Sequence, residues 1–295
     1  MTRVLLFLAT NLAVLLLLGV VSAFAQSYLA SQGIDFPRME LLVFATIFGF
    51  GGSFISLAMS KWVAIRATGA QVIEEPRNEA ERWLVETVRQ QAAAANIGMP
   101  QVAIFPQESP NAFATGARKD KALVAVSSGL LSGMQREEVE AVLGHEVSHI
   151  ANGDMVTLTL IQGVLNVFIL FFSRIIGEMV DNFLSRGEQR GGHGIGYWVA
   201  TIFAQVVLTA LAGIVVAWFS RRREFRADAG GARLAGTTPM VNALKRLQAW
   251  QERSEPLPEQ VKAFGISSPG SLMRLWATHP DLSDRIAALQ TRQHA

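Results

Sequence analysis

Residues 144–150 read Gly-His-Glu-Val-Ser-His-Ile, and the rest of the chain is best interpreted from this stretch. His145 and His149 are four residues apart, so on a helix both imidazoles lie on one face, one turn from each other. Two imidazoles so placed bind one zinc ion and leave positions for a third protein ligand and a water. Glu146 follows the first histidine, where its carboxylate reaches that water as a general base. The alternative interpretation is a surface helix that carries two unrelated histidines.

The residues around the motif favour a helix. Residues 136–143 are rich in helix-forming side chains, and their acidic members lie near the predicted N-terminus, where the helix dipole stabilises them. The sequence contains no proline from Gln135 to Asp154. We therefore predict that the motif lies inside one uninterrupted helix.

Composition restricts the classes of function. The chain has 295 residues, of which 50% are hydrophobic, and its formal net charge is only +2. The near-neutral charge gives no sign of a nucleic-acid partner. The chain contains no cysteine, which excludes disulfides, thiolate zinc sites and cysteine nucleophiles.

Four long apolar segments are each about long enough to cross a bilayer. They are Val4–Ala25, Leu41–Met59, Val156–Val180 and Gly196–Phe219. The first also resembles a signal peptide cleaved after Ala25, although its length favours an uncleaved helix. The last two have a second interpretation, a pair of buried helices inside a soluble domain.

Basic residues predict the orientation of these segments. Lys61 and Arg66 follow the second segment, and Arg221–Arg223 follow the fourth. Because cytoplasmic loops carry excess Lys and Arg, we expect the soluble segments and both chain ends to face the cytoplasm. The predicted organisation is an N-terminal transmembrane hairpin (1–61), the first part of a cytoplasmic catalytic domain with the motif helix (62–155), a second transmembrane hairpin (156–220) and the second part of the catalytic domain (221–295).

The soluble segments predict an α+β arrangement with a small sheet beside the motif helix. The predicted elements are a helix from Pro76–Glu79 to about Asn96, strands at 101–105 and 122–127, an exposed strand or loop at 111–116, and helices at 239–253 and 282–292. Residues 254–270, with three prolines, are predicted to form a loop.

A zinc site needs a third protein ligand, and five downstream side chains are candidates: Glu178, Glu188, His193, Glu224 and His279. Glu224 is favoured because it is predicted to start a helix on the same side of the membrane as the motif. Asp228 lies four residues later on the same face, where it accepts the outer N–H of a ligating histidine. The alternative is a solvated, salt-bridged start of a helix.

Taken together, these motifs resemble the HtpX-type membrane zinc proteases, bacterial relatives of the CAAX-processing prenyl endopeptidases. The resemblance covers almost the whole chain. It rests on His145-Glu146-x-x-His149, the two following apolar stretches, Glu224-x-x-x-Asp228, Glu74–Glu79, Asn111–Gly116, Arg223–Asp228, Thr278-His279-Pro280 and Arg285-Ile286.

The resemblance implies an α+β, mainly α, integral membrane metallopeptidase of gluzincin-like type, with a helix-rich catalytic domain, a small β-sheet and about four transmembrane helices. It implies one Zn2+ per chain and an endopeptidase of the bacterial inner membrane whose catalytic domain faces the cytoplasm. Its expected partners are the lipid bilayer and polypeptide substrates, such as membrane or misfolded proteins. A role in stress response and protein quality control, in cooperation with other membrane quality-control proteases, is implied by resemblance alone.

The expected reaction is peptide hydrolysis, with Glu146 as general base and zinc polarising the scissile carbonyl. A second donor to the developing oxyanion is expected, and His279 is the candidate because both tyrosines fall on the outer side of the predicted topology. The alternative for His279 is a structural histidine before a proline. A substrate-binding edge strand is expected at Asn111, Ala112, Phe113 and Ala114, and the alternative is a core strand.

Polar residues inside the apolar segments allow an alternative to the peptidase. Several polar residues lie inside the apolar segments, namely Asn11, Gln162, Asn166, Arg174 and Gln205. Such residues also occur in a multi-span transporter or pore subunit, in which the zinc site would be structural. Glu146 favours the peptidase, because a structural zinc site needs no carboxylate beside the metal.

Overall fold

A computed structural model describes residues 38–185, 193–254 and 279–293, with the single positions Val20, Ala23, Phe24, Ser27 and Ser31. The first predicted membrane segment and the predicted loop at 254–270 therefore lie almost wholly outside the described residues.

Helices dominate the described chain, and one small sheet accompanies them, which confirms the predicted α+β, mainly α, fold class. In chain order the elements are α1 (Arg38–Thr68), β1 (Gln71–Val72), α2 (Glu79–Ala94), β2 (Gln101–Phe105), β3 (Ala112–Thr115), β4 (Leu123–Ser127), α3 (Ser128–Gly133), α4 (Arg136–Asn152), α5 (Asp154–Leu184), α6 (Ile195–Ala235), α7 (Thr237–Ser254) and α8 (Leu282–Gln293).

The chain forms two compact units. The first contains residues 1–55 and 159–214, and the second contains residues 56–158 and 215–295. Three helices of the described chain are long and apolar enough to cross a membrane, and they are Glu40–Thr68 of α1, α5 and α6. Large apolar side chains such as Phe203 are exposed on the first unit, as expected for a surface that faces lipid.

Close packing inside the first unit depends on glycine at particular positions. A Cβ atom added at Gly49 of α1 would lie 2.7 Å from Val167 of α5. A Cβ atom added at Gly51 or Gly52 would have no atom of the described residues within 4 Å, so among these three glycines of α1 the close contact inside the described chain is made at Gly49. Phe171 and Ala45 complete the buried contact between these two helices.

The sheet of the second unit has the strand order β1-β2-β4-β3. Strands β2 and β4 run parallel, whereas β3 pairs with β4 in antiparallel register, with Ala112 opposite Val126. Strand β3 is therefore an edge strand within the described residues. The apolar faces of β4, α2, α4 and α7 share one core that includes Leu84, Val124, Leu143 and Leu244.

The helix of the histidine motif has well-defined ends. Gln135 and Glu138 form a capping box at its N-terminus, where each side chain accepts from the other residue's backbone N–H. At its C-terminus Gly153 adopts the left-handed conformation, with φ of 69°, that glycine tolerates. Helix α5 then begins at once with Asp154, so the motif helix and the following membrane helix are separated by one residue.

Two predictions about helix boundaries were wrong. Glu224 does not start a new helix, because α6 continues from Ile195 to Ala235 without a break. Arg221–Arg223 end the apolar stretch but are themselves good helix formers. Hydropathy therefore falls at these residues while the helix continues. Helix α1 likewise runs past Lys61 to Thr68, and the short helix α3 separates β4 from the motif helix.

Candidate metal and active site

Three buried side chains from two helices converge at one point of the second unit. His145 and His149 come from α4 and Glu224 comes from α6. The two Nε2 atoms lie 3.1 Å apart. Glu224 Oε2 lies 3.7 Å from His145 Nε2, and Glu224 Oε1 lies 3.4 Å from His149 Nε2. The structure thus brings together the two motif histidines and the third ligand that the sequence favoured.

The donor atoms fit a zinc ion in type and spacing. Zinc binds nitrogen and carboxylate oxygen at about 2.0–2.2 Å, which places the ligand atoms of a tetrahedral site roughly 3.3 Å from one another. The two Nε2 atoms lie 3.1 Å apart, and each has a different oxygen of the Glu224 carboxylate at 3.4 or 3.7 Å, distances close to that value. An imidazole, imidazole and carboxylate set with space for a water is typical of catalytic zinc.

Each motif histidine has its own carboxylate on the far side of the ring. His145 Nδ1 donates to Asp228 Oδ1 at 2.9 Å, the contact expected from the spacing of Glu224 and Asp228. His149 Nδ1 donates to Asp154 Oδ2 at 2.7 Å, and the sequence analysis missed this partner. The sequence feature that could have predicted this contact is the acidic residue directly after the helix-ending Gly153, five positions beyond His149.

Arg285 of α8 holds the carboxylates in place, and sequence reasoning gave it no such role. Its Nη2 and Nε donate to Asp228 Oδ1 and Oδ2 at 2.6 and 2.8 Å, a side-on, two-bond contact. Its Nη1 also lies 3.6 Å from Glu224 Oε2. Arg285 is only 9% exposed, so this cation balances buried negative charge.

Electrostatics favour protonated histidines when no metal is bound. Burial alone would lower the pKa of His145, but hydrogen bonds with Asp228 and Glu224 outweigh burial and raise it. For His149 burial acts in the same downward direction, yet Asp154 and Glu224 raise the pKa to about 9. The negative charge of Glu146 raises both values further. The site therefore attracts positive charge, as a metal site must.

The two remaining predicted catalytic residues lie at this site. Glu146 is buried directly after His145 on the motif helix. His279 Nδ1 donates to Glu224 Oε2 at 3.0 Å, although the His279 side chain is 66% exposed. His279 therefore contacts the candidate ligand Glu224, a contact that the sequence did not predict.

The predicted substrate strand corresponds to β3 and the residue before it. Asn111 precedes the strand, and its backbone exchanges hydrogen bonds with Ser127 of β4. Ala112 and Ala114 pack toward the core that includes α4, whereas Phe113 packs against Phe105 on the opposite face. Within the described chain the outer edge of β3 has no strand partner.

Comparison with known proteins agrees with this geometry. The chain is 56% identical to protease HtpX of Alkalilimnicola ehrlichii over 301 residues, covering 100% of this chain and 99% of that relative. It is 53% identical to protease HtpX of Thioalkalivibrio sulfidiphilus over 297 residues, covering 99% and 100%. Nothing in these comparisons supports a transporter or pore subunit.

The fold has a counterpart among solved structures. The crystal structure of Ste24p from S. mikatae matches with a TM-score of 0.61 at 16% identity, covering 97% of this chain and 67% of that one. A model of Peptidase family M48 matches residues 78–293, which include every residue of the site described above. The chain therefore belongs to Peptidase family M48 and is a membrane-bound metalloendopeptidase.

Proposed function

We propose that this metalloendopeptidase uses one zinc ion, held by His145, His149 and Glu224, to hydrolyse polypeptides. The observation that carries the proposal is the convergence of two buried imidazole nitrogens and one buried carboxylate at distances close to those of a tetrahedral zinc site. Asp228 fixes the ring of His145, and residues 62–155 and 221–295 together supply the catalytic domain.

Glu146 performs the proton transfers. A zinc ion bound at the site supplies Lewis-acid chemistry and lowers the pKa of water to about 7. Glu146 takes the proton of the attacking water and later delivers it to the leaving amine. Its place directly after His145, on the helix that carries both histidines, supports this role, because the backbone holds the carboxylate beside the metal ligands.

Substrate is bound by addition of a strand. An extended peptide pairs with the outer edge of β3, along Asn111, Ala112, Phe113 and Ala114, and main-chain hydrogen bonds hold it beside the motif helix. This binding requires extended chain, so unfolded segments are suitable substrates and compact domains are not. The membrane helices favour membrane or misfolded proteins as substrates, in keeping with quality control under stress alongside other membrane proteases.

The catalytic unit faces the cytoplasm from the bacterial inner membrane. Lys61, Arg66 and Arg221–Arg223 lie at the ends of apolar stretches and support this orientation. Reporters fused after Arg66 and at the C-terminus are expected to report cytoplasm, and a reporter in the 185–194 loop the outer side. A cytoplasmic signal from that loop would contradict a membrane-crossing hairpin.

The activity is tested with protein purified in detergent and chelator, then supplied with zinc and an unfolded polypeptide. Wild type is expected to cut the polypeptide at internal bonds. Glu146→Ala should bind zinc equally well but cleave nothing, because Glu146 is the base and not a ligand. Near-normal cleavage by Glu146→Ala would contradict the mechanism, and failure of wild type to bind zinc would contradict the metal site.

A further inference from the structure

Asp154 belongs to a helix that is long enough to cross a membrane, and its side chain contacts the candidate metal site. It is the first residue of α5, and its side chain is 1% exposed. A buried carboxylate is costly unless it is paired. The partners of the Asp154 carboxylate therefore indicate its role.

Both oxygens of Asp154 have a partner. Oδ2 accepts from His149 Nδ1 at 2.7 Å, and Oδ1 lies 3.4 Å from Nη2 of Arg226. Arg226 is on α6, two residues beyond Glu224. The carboxylate is thus fixed from one side by the helix that supplies the third candidate ligand, while its other oxygen is directed at a motif histidine.

The contact determines which nitrogen of His149 faces the metal. A hydrogen on Nδ1, held by Asp154, leaves the lone pair on Nε2, the atom that lies 3.1 Å from His145 Nε2. The same arrangement holds for His145 and Asp228. The two histidines would therefore be oriented by carboxylates from different helices, α5 for His149 and α6 for His145.

We infer that Asp154 is a positioning residue for zinc binding, which sets the tautomer and ring orientation of His149. This inference rests on the proposed zinc site. It also links the metal to the start of α5, because the residue that orients His149 is the first residue of that helix. Removal of such a hydrogen-bonding partner typically lowers metal affinity by about 10- to 100-fold.

The test compares Asp154→Ser and Asp154→Asn with wild type in the full-length, detergent-purified protein. Serine suits the start of a helix but is too short to reach His149, and asparagine keeps the volume without the charge. Asp284→Ser is the matched control, because Asp284 is an exposed acid in the first turn of α8. Zinc affinity is measured by competition with a chelator, and the visible spectrum is recorded after loading with Co2+.

At about pH 9, where competition from protons is small, we expect Asp154→Ser to weaken zinc binding about 10- to 100-fold per folded molecule and to change the cobalt spectrum, with a smaller loss in Asp154→Asn. Asp284→Ser should behave as wild type. A purely structural role would reduce the yield of folded protein but leave affinity and spectrum unchanged, and that result overturns the inference. If wild type bound no zinc, the proposed site itself would fail.

A measurement on wild type covers the case in which neither variant folds. With 15N-labelled histidine, the zinc-loaded protein is expected to show two imidazole N–H signals protected from exchange, from His145 and His149. His279 and His193 also donate to carboxylates, but they are 66% and 46% exposed and their hydrogens exchange readily. The absence of a protected signal from His149 would overturn the assignment of Asp154.

Discussion

The apparent affinity for zinc should rise steeply with pH. Zinc binds the neutral imidazole, whereas His149 has a pKa of about 9 in the metal-free protein, where burial is outweighed by Asp154 and Glu224. Lowering the pH from about 9 to 7 therefore protonates His149. The metal must then displace that proton before His149 can serve as a ligand.

The size of the change in zinc affinity follows from the difference between the pKa of His149 and the pH of the measurement. Two units below its pKa, about one His149 in a hundred is neutral, so the affinity at pH 7 should be about 100-fold weaker than the limiting value, or about 2.7 kcal/mol. The pKa of His145 is also raised, which steepens the dependence in the same direction. From His149 alone the affinity should thus change about tenfold per pH unit between about pH 7 and 8.

The assay is chelator competition from pH 6.5 to 9, corrected for protonation of the chelator. Asp154→Asn serves as a comparison, because loss of the carboxylate removes one of the two hydrogen bonds that raise the pKa of His149. The rise of zinc affinity with pH should then occur at lower pH. If wild-type affinity levelled off above pH 7, as it would for a histidine with the unperturbed pKa of about 6.5, the electrostatic reasoning would be refuted.

Replacing Arg285 by Met should destabilise the protein by about 3–5 kcal/mol, because Asp228 would lose the two hydrogen bonds that Arg285 donates to it inside the core; thermal unfolding measures the loss, and adding Asp228→Asn should recover part of it. Glu224→Gln should lose zinc far more severely than the control Glu178→Gln, measured as bound metal per chain, and equal retention would contradict the ligand assignment. His279→Ala should lower turnover by about 10²- to 10³-fold if His279 stabilises the oxyanion; an unchanged rate per folded, zinc-loaded molecule would make it structural. In the metal-free protein the folded pKa of His149, about 9, lies above the unfolded value of about 6.5, so its stabilising contribution is complete below pH 6.5 and is lost as pH rises through 9; the melting temperature without zinc should fall over this range.

Local rules explain why the sequence alone predicted the main parts of the fold and site. Spacing along a helix is fixed by geometry, so His145 and His149 had to share a face once a helix was predicted. Hydropathy identified α1, α5 and α6, because the length of an apolar run is a property of contiguous residues. The four-residue spacing of Glu224 and Asp228 likewise placed both carboxylates on one side of α6.

Tertiary structure decided what depends on residues far apart in the chain. Arg285 lies 57 positions beyond Asp228, and only the packing of α8 brings its guanidinium within 2.6 Å of that carboxylate. The continuation of α6 through Glu224 was invisible to hydropathy, because a helix persists after its apolar stretch ends when no breaker intervenes. The partner of His149 depended on the left-handed turn at Gly153, after which the carboxylate of Asp154 lies 2.7 Å from the His149 ring. Sequence predicted which side chains carry the chemistry; the fold determined which carboxylates and cations surround them, because charge balance in a buried site is set by distances that no local pattern encodes.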